Sequence, residues 1–393
     1  MMRLLINGLA ASAGGGLTYL RNVIPQFAAR TDVEIAVALP PALRKEFGHL
    51  GRVSFLEVYP SANPAARFWQ EQTVLPRLIR QAQADVLIST GNFALRKSPV
   101  PQILLSRNAL YTNADFYRDL RRRRKYPMWL DSWVRSRMAR RSISWADCTV
   151  APSMAFAREL RQWSGREVTT IHHGFDREGF IRDRAPLTPE VCTKLEGDSD
   201  TLRLLVVSHY NYYRNFETLL RAIPRLREEL GSRRVKLFLT CSLKGKGNPG
   251  SYDPKSAAKL IARLGIPENV VELGTVPYER LHHVYRACDV YVAPAYAESF
   301  AHPLVEAMSS GLPIVASDLQ VHREICGDAG LYFDRFSPDE LARQILRIAR
   351  SKDLSARLSQ EGLRTSQRFS WSDHVDRILS LAARLGGALA RAA

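Results

Sequence analysis

Short apolar runs alternate with helical patterns along most of the chain. The runs are rich in Val, Leu and Ile, and continuous runs of this kind are typical of strands buried on both faces of a parallel sheet. Between them, apolar residues recur at helical spacing, as in Leu17–Ala28, Phe68–Gln81, Phe216–Leu230 and Pro254–Leu264. This alternation predicts layered, parallel α/β structure. The predicted strands are Arg3–Leu9, Val33–Leu39, Val53–Val58, Asp85–Ser89, Gln102–Leu105, Cys148–Ala151, Val168–Ile171, Leu202–Ser208, Val235–Thr240, Val270–Leu273, Asp289–Pro294 and Leu312–Ser317.

The alternation is interrupted in residues 173–200, which are rich in Gly, Pro and Asp and show little apolar periodicity. Such a composition predicts a linker. A chain of 393 residues with 46% hydrophobic content is long enough for two cores. We therefore expect two doubly wound, Rossmann-like domains, residues 1–176 and 201–371, which are joined by residues 177–200 and face each other across a ligand-binding cleft.

One segment of the second domain, Cys288–Asp318, points most clearly to a ligand. Its pattern predicts a strand at Asp289–Pro294, a polar turn, a short helix and a second strand at Leu312–Ser317. Pro303 suits the first helical turn, where a missing N–H costs nothing, and Gly311 suits the position just past the helix end. The helix therefore begins at the carboxyl end of a parallel strand, where open α/β sheets bind ligands.

Two carboxylates flank the start of this predicted helix, Glu298 in the turn and Glu306 in the first helical turn. The first N–H groups of a helix have no partner inside it, so with the helix dipole they suit an anion such as phosphate. A carboxylate beside them can accept hydrogen bonds from sugar hydroxyls. The alternative is that Glu298 is an ordinary loop carboxylate and that Glu306 only caps the helix. The candidate ligand-binding residues between the two are Ser299, Phe300, Ala301, His302, Pro303 and Leu304.

Glycines follow the first strand of the first domain. Gly15 and Gly16 allow a ligand to approach the backbone closely because no Cβ stands in the way. The dinucleotide fingerprint G-x-G-x-x-G does not fit, because the position three after Gly16 is Tyr19. A tight turn explains these glycines equally well.

The first strand of the second domain leads into a loop with His209 and Arg214. A cation at such a strand end can neutralise a departing diphosphate. Arg214 offers a fixed charge in a bidentate fork, whereas His209 can be neutral at pH 7. For both residues the alternative is an ordinary loop side chain without a ligand.

The segment that begins at Glu298 resembles the E-x7-E signature of retaining GT-B glycosyltransferases, the large group related to bacterial mannosyl-, glucosyl- and rhamnosyltransferases. The resemblance implies that Glu306 accepts hydrogen bonds from a nucleotide ribose and that Glu298 holds the transferred sugar. It also implies that Arg214 and the amides of Phe300–Leu304 hold the diphosphate. Many relatives have Gly where this chain has Ala301.

The same resemblance extends to other parts of the chain. It implies that the loop of Gly15 and Gly16 faces the donor diphosphate, and that His209 stands where relatives place a cationic side chain. Gly174 and Asp176 occupy positions that recur in the family's inter-domain segment. The C-terminal helix, predicted at residues 372–385 and stopped by two glycines, corresponds to a helix that crosses back onto the first domain.

Many relatives also carry a His near the reacting sugar, after the strand that corresponds to Gln102–Leu105. This chain has no His there, and Arg107 and Asn108 follow the strand instead. We expect one of these two side chains to point into the cleft and to hold a sugar hydroxyl or a phosphate.

The formal net charge of +17 calls for an anionic partner or another explanation. Between Arg107 and Arg141 there are eleven Arg or Lys residues against three Asp, next to aromatic residues that include Trp129 and Trp133. Basic residues beside exposed aromatics suit a membrane surface with anionic headgroups. Nucleic acid is the competing but less favoured partner, and a merely solvated basic face is the third alternative.

Other features bear on location and metals. No apolar run approaches the roughly 20 residues that span a bilayer, and the apolar N-terminus predicts a strand and not a signal peptide. The five cysteines are scattered and form no C-x-x-C, which predicts reduced thiols in a cytoplasmic protein. Asp198 and Asp200 form a D-x-D only inside the predicted linker, so we expect no metal site. The expected location is cytoplasmic, with peripheral contact to the inner face of the cell membrane.

Together with these observations, the resemblance implies an enzyme that transfers a hexose from a nucleotide-sugar, its co-substrate, to a glycan or lipid-linked acceptor, with the retention that is the family's stereochemical outcome. We expect it to use no metal or other cofactor. Cell-surface polysaccharide or glycolipid biosynthesis is the expected setting. One alternative is an enzyme of the same fold, a nucleotide-sugar epimerase or a sugar phosphorylase. Another is a non-catalytic basic protein that binds nucleic acid.

Overall fold

Two units make up the structure, and each is assembled from separate parts of the sequence. A computed structural model describes residues 1–11, 15–182, 185–196, 200–243 and 252–390. The first unit comprises Met1–Thr112, Arg124–Gly174 and the chain from Phe369 onward, and the second comprises Asn113–Arg123 and Phe175–Arg368.

The first unit is built on a parallel sheet with helices on both faces. The strands follow the order β3-β2-β1-β4-β5-β6-β7. They are β1 (Met2–Asn7), β2 (Val33–Leu39), β3 (Val53–Glu57), β4 (Val86–Ser89), β5 (Gln102–Leu105), β6 (Cys148–Ala151) and β7 (Thr169–Thr170). The helices of this unit are α1 (Gly15–Ala28), α2 (Pro41–Phe47), α3 (Pro64–Gln81), α5 (Tyr126–Trp145), α6 (Met154–Ser164) and α16 (Trp371–Ala390).

The second unit has a parallel sheet of the same kind, in the order β10-β9-β8-β11-β12-β13. Its strands are β8 (Thr201–Val206), β9 (Arg234–Leu239), β10 (Val270–Glu272), β11 (Val290–Ala293), β12 (Ile314–Ser317) and β13 (Gly330–Phe333). Its helices are α4 (Ala114–Arg122), α7 (Arg177–Ile181), α8 (Pro189–Leu195), α9 (Phe216–Leu230), α10 (Lys255–Arg263), α11 (Tyr278–Arg286), α12 (His302–Ser309), α13 (Gln320–Cys326), α14 (Pro338–Arg350) and α15 (Lys352–Ser366).

Each sheet has one point at which the strand order reverses. In the first sheet β1 pairs with both β2 and β4, and in the second β8 pairs with both β9 and β11. The connections from these central strands run to opposite sides, which opens a crevice outside the carboxyl ends of the strands. The loops after β1 and β4, and after β8 and β11, therefore lie where ligands bind in such sheets.

The predicted strands are all present, with ends that agree to within two residues, so the prediction of two Rossmann-like α/β domains is confirmed. The sequence pattern missed β13, an edge strand whose residues Leu331 and Tyr332 are only partly buried. The C-terminal helix was predicted to stop at Gly386 and Gly387, which is wrong, because α16 continues to Ala390. A glycine inside a helix costs only about 1 kcal/mol, so it does not have to end one.

The structure corrects two predicted boundaries. Residues 113–123 were assigned to the first domain, but they form α4 and pack in the second unit. Residues 177–200 were expected to be a linker, but their described part contains α7 and α8, which belong to the second unit. Each of these short helices has a single buried residue, Phe180 or Leu195, and so carries too little apolar periodicity to be recognised.

The C-terminal helix packs in the core of the first unit. Val375, Ile378 and Ala382 of α16 are buried in one cluster with Leu4 and Ile6 of β1. The chain passes close to the start of this helix at Gly174. A side chain does not fit there, because a Cβ would lie 2.1 Å from the backbone nitrogen of Trp371. Asp176 has a local role, since its side chain accepts a hydrogen bond from the Gly179 N–H at the start of α7.

Candidate functional site

The loops after β8 and β11 leave neighbouring strands at the reversal point of the second sheet. Val290 and Tyr291 of β11 pair with Leu204 and Leu205 of β8, so both loops start from the same sheet edge. The loop after β8 carries the predicted His209 and Arg214, and the loop after β11 carries Glu298. The topology thus brings together residues that are far apart in the sequence.

Arg214 and Glu298 form an ion pair between these two loops. Arg214 Nη1 donates a hydrogen bond to Glu298 Oε1, and the two side chains are 24% and 10% exposed. Arg214 ends a short 3-10 helix, and its guanidinium lies 5.2 Å from the ring centre of Tyr213. A charge-assisted hydrogen bond that is mostly shielded from water fixes both side chains. The sequence pattern gave the two residues separate ligand roles and did not indicate that they pair.

A small cavity of about 10 Å³ adjoins the ion pair. This is room for about one water molecule, so a sugar does not fit inside it. The predicted residues that the structure gathers around this cavity are Arg214, Glu298, Ala301, Pro303 and Leu304.

Helix α12 begins at this cavity with an unusual backbone. Ala301 precedes the helix with φ of +66°, in the left-handed region that favours glycine. A residue with a Cβ there costs roughly 1–2 kcal/mol. The Gly that many resembling sequences have at this position fits the same conformation without that cost.

The amides at this helix start differ from the prediction. The prediction that Phe300–Leu304 all offer backbone N–H groups is wrong for two of these residues, because Pro303 has no N–H and the Leu304 N–H donates to Ala301 O at 3.0 Å. Phe300 and His302 lie side by side with their ring centres 4.8 Å apart, and Ser299 precedes them in the loop.

Glu306 lies inside the protein. It is 6% exposed, and Tyr285 Oη donates a hydrogen bond to its Oε2 at 2.8 Å. Burial raises the pKa of Glu306 to about 7, although the hydrogen bond from Tyr285 acts in the opposite direction. The prediction that Glu306 lies in the first helical turn is wrong, because α12 begins at His302 and Glu306 therefore lies in its second turn. The residue at the N-cap of α12 is Ala301, whose side chain has no capping group, and the hydrogen-bond partner of Glu306 is Tyr285 of another helix.

Two histidines near the cavity are neutral at pH 7. Partial desolvation and the charge of Arg214 lower the pKa of His209, which follows β8. The fixed positive charge at this loop therefore comes from Arg214. His322 of α13 also lines the cavity, where burial lowers its pKa to about 4 and its Nδ1 lies 2.9 Å from the carbonyl oxygen of Ser317. Sequence reasoning missed His322 and Tyr285, because nothing in the local pattern of α13 or α11 marks them.

The predicted residues of the first unit have structural contacts of their own. Arg107 Nη1 donates to Gly15 O at 3.4 Å, Nη2 donates to Thr90 O, and the guanidinium lies 4.5 Å from the ring centre of Tyr19. Desolvation lowers the pKa of Arg107 to about 10, so it stays charged at pH 7. Arg107 therefore joins the loops after β1 and β4 at the reversal point of the first sheet.

Asn108 is also held locally, since its Oδ1 accepts a hydrogen bond from the Leu110 N–H and caps the 3-10 helix Ala109–Tyr111. Gly16 lies at the start of α1, and a Cβ there would be 3.4 Å from Ala11 Cα. Residues 13–14 of the same loop lie outside the described residues. Ligand contacts of Arg107, Asn108, Gly15 and Gly16 remain predictions.

The described part of the chain contains no group of three or more His, Cys, Asp or Glu side chains placed to hold a metal ion. Asp198 of the D-x-D lies outside that part. All five cysteines are free. Among the described helices, none combines the length and the apolar character needed to cross a bilayer.

Two family models together account for most of the sequence. Residues 192–365 match the model described as Glycosyl transferases group 1, and residues 13–178 match the model described as Glycosyltransferase Family 4. The first match includes the whole site around Arg214, Glu298 and Glu306. The second includes the loop of Gly15 and Gly16 together with Arg107.

Curated relatives share part of this chain. The D-inositol 3-phosphate glycosyltransferase of Thermobifida fusca is 28% identical over 243 residues, which cover 61% of this chain and 55% of the relative. The O-antigen chain mannosyltransferase B of Escherichia coli is 36% identical over 101 residues, which cover 26% of each chain. The chain thus spans about half or less of the length of these relatives.

Solved structures share the fold over the whole chain. The sucrose-phosphate synthase of Thermosynechococcus elongatus superposes with a TM-score of 0.74 at 17% identity and covers 99% of this chain and 100% of its own. Anabaena Alr3699/HepE in complex with UDP-glucose has a TM-score of 0.73 at 18% identity, with 98% and 100% covered. The two family matches place the chain among the group 1 glycosyltransferases, and the structural likenesses show that it has the GT-B fold.

Proposed function

We propose that this protein is a retaining glycosyltransferase that takes a hexose from a nucleotide-sugar bound at the reversal point of the second sheet. Glu306 holds the nucleotide, Arg214 holds the diphosphate and Glu298 holds the sugar. The observation that carries the proposal is the Arg214–Glu298 ion pair, with the buried Glu306 on the helix that starts beside it. A diphosphate flanked by two sugars requires a fixed cation for the phosphates and a carboxylate for the hydroxyls of each sugar.

The nucleotide end is assigned to Glu306 from its surroundings. Ribose hydroxyls are neutral donors, and a buried carboxylate fixed by the hydrogen bond from Tyr285 can accept from them without rearranging. Bound UDP and UDP-glucose in the Anabaena structures of the same fold support a nucleotide-sugar as the donor. The first binding screen should therefore compare donors that differ in the base and in the sugar.

The diphosphate end is assigned to Arg214 and to the start of α12. Because His209 is neutral, Arg214 supplies the fixed charge of its loop. The positive end of the helix dipole at His302 adds to the attraction for an anion. Donor binding then separates the ion pair, so that the guanidinium turns to phosphate oxygens and Glu298 to sugar hydroxyls.

The proposed chemistry is a front-face displacement with retention. The bond between the anomeric carbon of the sugar and the diphosphate oxygen breaks, and the acceptor oxygen bonds to the same face of that carbon. The acceptor proton passes to the departing phosphate oxygen, so that a glycoside and a nucleoside diphosphate result. Arg214 stabilises the charge that develops on the diphosphate, which is the main task of an enzyme at such a step.

The acceptor is assigned to the first unit, and its class is a glycan or a lipid-linked precursor of a cell-surface polysaccharide or glycolipid. Among the relatives, one name specifies inositol 3-phosphate and another an O-antigen chain. Acceptors that are anchored in a membrane require an enzyme that reaches the membrane surface.

Helix α5 offers such a surface, which we assign to contact with anionic lipid. Tyr126, Leu130, Trp133 and Val134 are 60%, 54%, 40% and 43% exposed, and their spacing places them along one side of the helix. Basic residues follow them, and the guanidinium of Arg137 lies 5.0 Å from the ring centre of Trp133. Apolar side chains beside exposed cations fit the interface of a bilayer with anionic headgroups.

Liposome sedimentation tests the membrane contact. We expect the protein to sediment with vesicles that contain anionic phospholipid at low salt, and to do so less after Leu130→Ser with Trp133→Ser. Trp69→Ser is the matched control, because Trp69 is a 67% exposed residue of α3. Absence of sedimentation by the unmodified protein at low salt removes the membrane proposal.

A two-step assay tests the transferase proposal. A thermal-shift panel of UDP-, GDP-, ADP- and dTDP-sugars identifies the donor, because a ligand that binds only the native state raises its stability. Release of the nucleoside diphosphate is then measured with and without acceptor lipids and glycans, and NMR assigns the configuration of the product. A transferase needs the acceptor for productive turnover and gives the donor's configuration. Acceptor-independent conversion of the sugar indicates an epimerase, and dependence on inorganic phosphate indicates a phosphorylase.

A further inference from the structure

We propose that α4 is a positioning element for both loops of the donor site, and that Arg123, which follows its last residue, anchors it. This inference rests on the proposed function of that site. Helix α4 comes from the N-terminal half of the sequence, between residues of the first unit, and yet it packs in the second unit. Its inner side contacts the loop of Arg214 and the loop of Glu298.

The anchor is a buried network of three charged groups. Arg123 is 15% exposed and donates to Asp119 and to Glu217, each at 2.9 Å, and these carboxylates are 8% and 11% exposed. Tyr210 Oη donates a further hydrogen bond to Glu217 at 3.0 Å. Burial alone would raise the pKa of Glu217, but the charge of Arg123 and the hydrogen bonds hold it below its usual value. Removing one partner of such a network leaves a buried charge uncompensated.

The first loop is held through its aromatic residues. The guanidinium of Arg123 lies 4.3 Å from the ring centre of Tyr212, and Phe116 meets Tyr213 edge to face with ring centres 6.4 Å apart. Arg214 is the next residue along the chain. Helix α4 therefore fixes the two residues that immediately precede the proposed diphosphate ligand.

The second loop is held through Tyr296. Asn113 Nδ2 donates to the Tyr296 carbonyl oxygen at 3.1 Å, and Tyr296 Oη donates to Asp119 at 3.1 Å. The Tyr296 N–H in turn donates to the carbonyl oxygen of Tyr213 at 2.9 Å, which joins the two loops directly. Glu298 lies two residues further on. One helix thus sets the position of both members of the Arg214–Glu298 pair.

The outer side of α4 does not share this task. Arg118 and Arg122 are 71% and 78% exposed, and their ion pairs with Asp115 and Asp119 lie within the helix surface. The guanidinium of each pair lies in solvent, and a pair with such an exposed partner contributes little. Arg122 is therefore a matched control for Arg123, since the two residues are adjacent and both contact Asp119.

The variants Arg123→Ala and Arg122→Ala test this role together. We expect Arg123→Ala to lower the turnover number by about 10-fold or more, because small displacements of positioned groups are costly. Affinity for the nucleoside diphosphate should fall by at most about 3-fold, less than the effect of removing one charged hydrogen bond. The reason is that Arg214 is displaced and not removed, and that the contacts of α4 described above do not include Glu306. Arg122→Ala should behave like the unmodified protein, and Arg123→Lys should recover part of the lost turnover. If Arg123→Ala is too unstable to purify, Tyr296→Phe removes a single hydrogen bond of the same arrangement. Asn113→Ala removes the hydrogen bond to Tyr296 together with the cap that Asn113 Oδ1 forms with the Phe116 N–H at the start of α4.

Amide hydrogen exchange separates this inference from the proposed function. Peptides that contain residues 210–216 and 294–300 should exchange faster in Arg123→Ala, or in Asn113→Ala and Tyr296→Phe, than in Arg122→Ala. Unchanged exchange together with unchanged turnover overturns the positioning role of α4. Faster exchange in a protein that transfers no sugar from any donor supports the positioning role and refutes the proposed function.

Discussion

Glu298 and Glu306 stand at the two ends of one segment, and these two glutamates have different surroundings. Glu298 lies in a loop, keeps some exposure and pairs with the guanidinium of Arg214. Glu306 lies on a helix, is buried and accepts a hydrogen bond from the neutral hydroxyl of Tyr285. One carboxylate is tied to a charge that a ligand can take over, whereas the other is fixed and only partly ionised near pH 7.

This difference supports our proposal that the two carboxylates hold different parts of one donor. A fixed, desolvated group suits the nucleotide, which binds and leaves unchanged. A group whose partner can turn to the diphosphate suits the sugar, whose surroundings change as its bond to phosphate breaks. Environment, and not residue type, separates the roles.

The largest expected effect is that of Glu298→Gln. We expect turnover to fall by about 100-fold, the scale of removing one preorganised polar contact at a reacting group. Affinity for the nucleoside diphosphate should be unchanged or slightly higher, because Arg214 loses its competing partner. Steady-state kinetics with direct nucleotide titration measures both. Weaker nucleotide binding with unchanged turnover would reverse the assignment of the two glutamates.

Glu306→Ala should act on the nucleotide. A hydrogen bond to a charged group contributes about 1.5–3 kcal/mol, so affinity for nucleotide-sugar and nucleoside diphosphate should fall by about 10- to 100-fold. Tyr285→Phe, which leaves the carboxylate but removes its positioning hydrogen bond, should give a smaller loss. Isothermal titration of both variants checks this order. Equal nucleotide affinity in Glu306→Ala, Tyr285→Phe and the unmodified protein would contradict the role of Glu306.

Arg214→Ala should weaken nucleoside diphosphate binding less than Glu306→Ala, by about 10-fold, because the hydrogen bonds of Arg214 to phosphate form at the expense of its ion pair with Glu298. The same substitution should leave adenosine or uridine binding, without the diphosphate, unchanged. Arg214→Lys should retain part of the affinity through its charge but not through a bidentate contact. Isothermal titration with nucleoside and nucleoside diphosphate compares these variants. A larger loss for the nucleoside than for the diphosphate would contradict this assignment.

The local geometry of the segment could be predicted from the sequence, whereas its pairing could not. Pro303 and Gly311 indicated both ends of α12, and Gly311 has the left-handed φ of +71° that such a position requires. The partners of the two glutamates come from distant elements, Arg214 after β8 and Tyr285 on α11. Those contacts depend on strand order and helix packing, which a local pattern does not contain.

The basic stretch shows the same limit on a larger scale. Charge density predicted one anionic-lipid-binding surface over residues 107–141, but the structure divides it between two units. Arg123 is buried between carboxylates in one unit, whereas Trp133 and Leu130 of α5 are exposed in the other. Counting charges cannot separate a buried ion pair from a solvated face, because the two differ only in tertiary contacts.

The pH dependence of donor affinity should separate the two carboxylates by a few-fold effect. Glu306 has a pKa of about 7, raised by burial, and only its ionised form accepts two hydrogen bonds from ribose hydroxyls at full strength. Affinity for a nucleotide-sugar should therefore rise with pH through about 7. Titration between pH 6 and 8 measures this, and Glu306→Gln should remove the dependence. A dependence that survives in Glu306→Gln belongs to another group.

The smallest expected effect concerns the start of α12. Ala301→Gly should stabilise the protein by about 1 kcal/mol, because glycine adopts the left-handed conformation without strain. Ala307→Gly, within the same helix, should destabilise by about 1 kcal/mol. Chemical denaturation of both variants compares them. Destabilisation by Ala301→Gly would show that the helix start has a different backbone.

Calorimetric titration of a nucleoside diphosphate and its nucleotide-sugar against the unmodified protein, Glu298→Gln and Glu306→Ala tests the central claim most directly. The account predicts that Glu306→Ala weakens both ligands by the same factor. It predicts that Glu298→Gln removes only the extra affinity that the sugar provides. Equal binding by all three proteins, or loss of bare nucleoside diphosphate binding in Glu298→Gln, would contradict it.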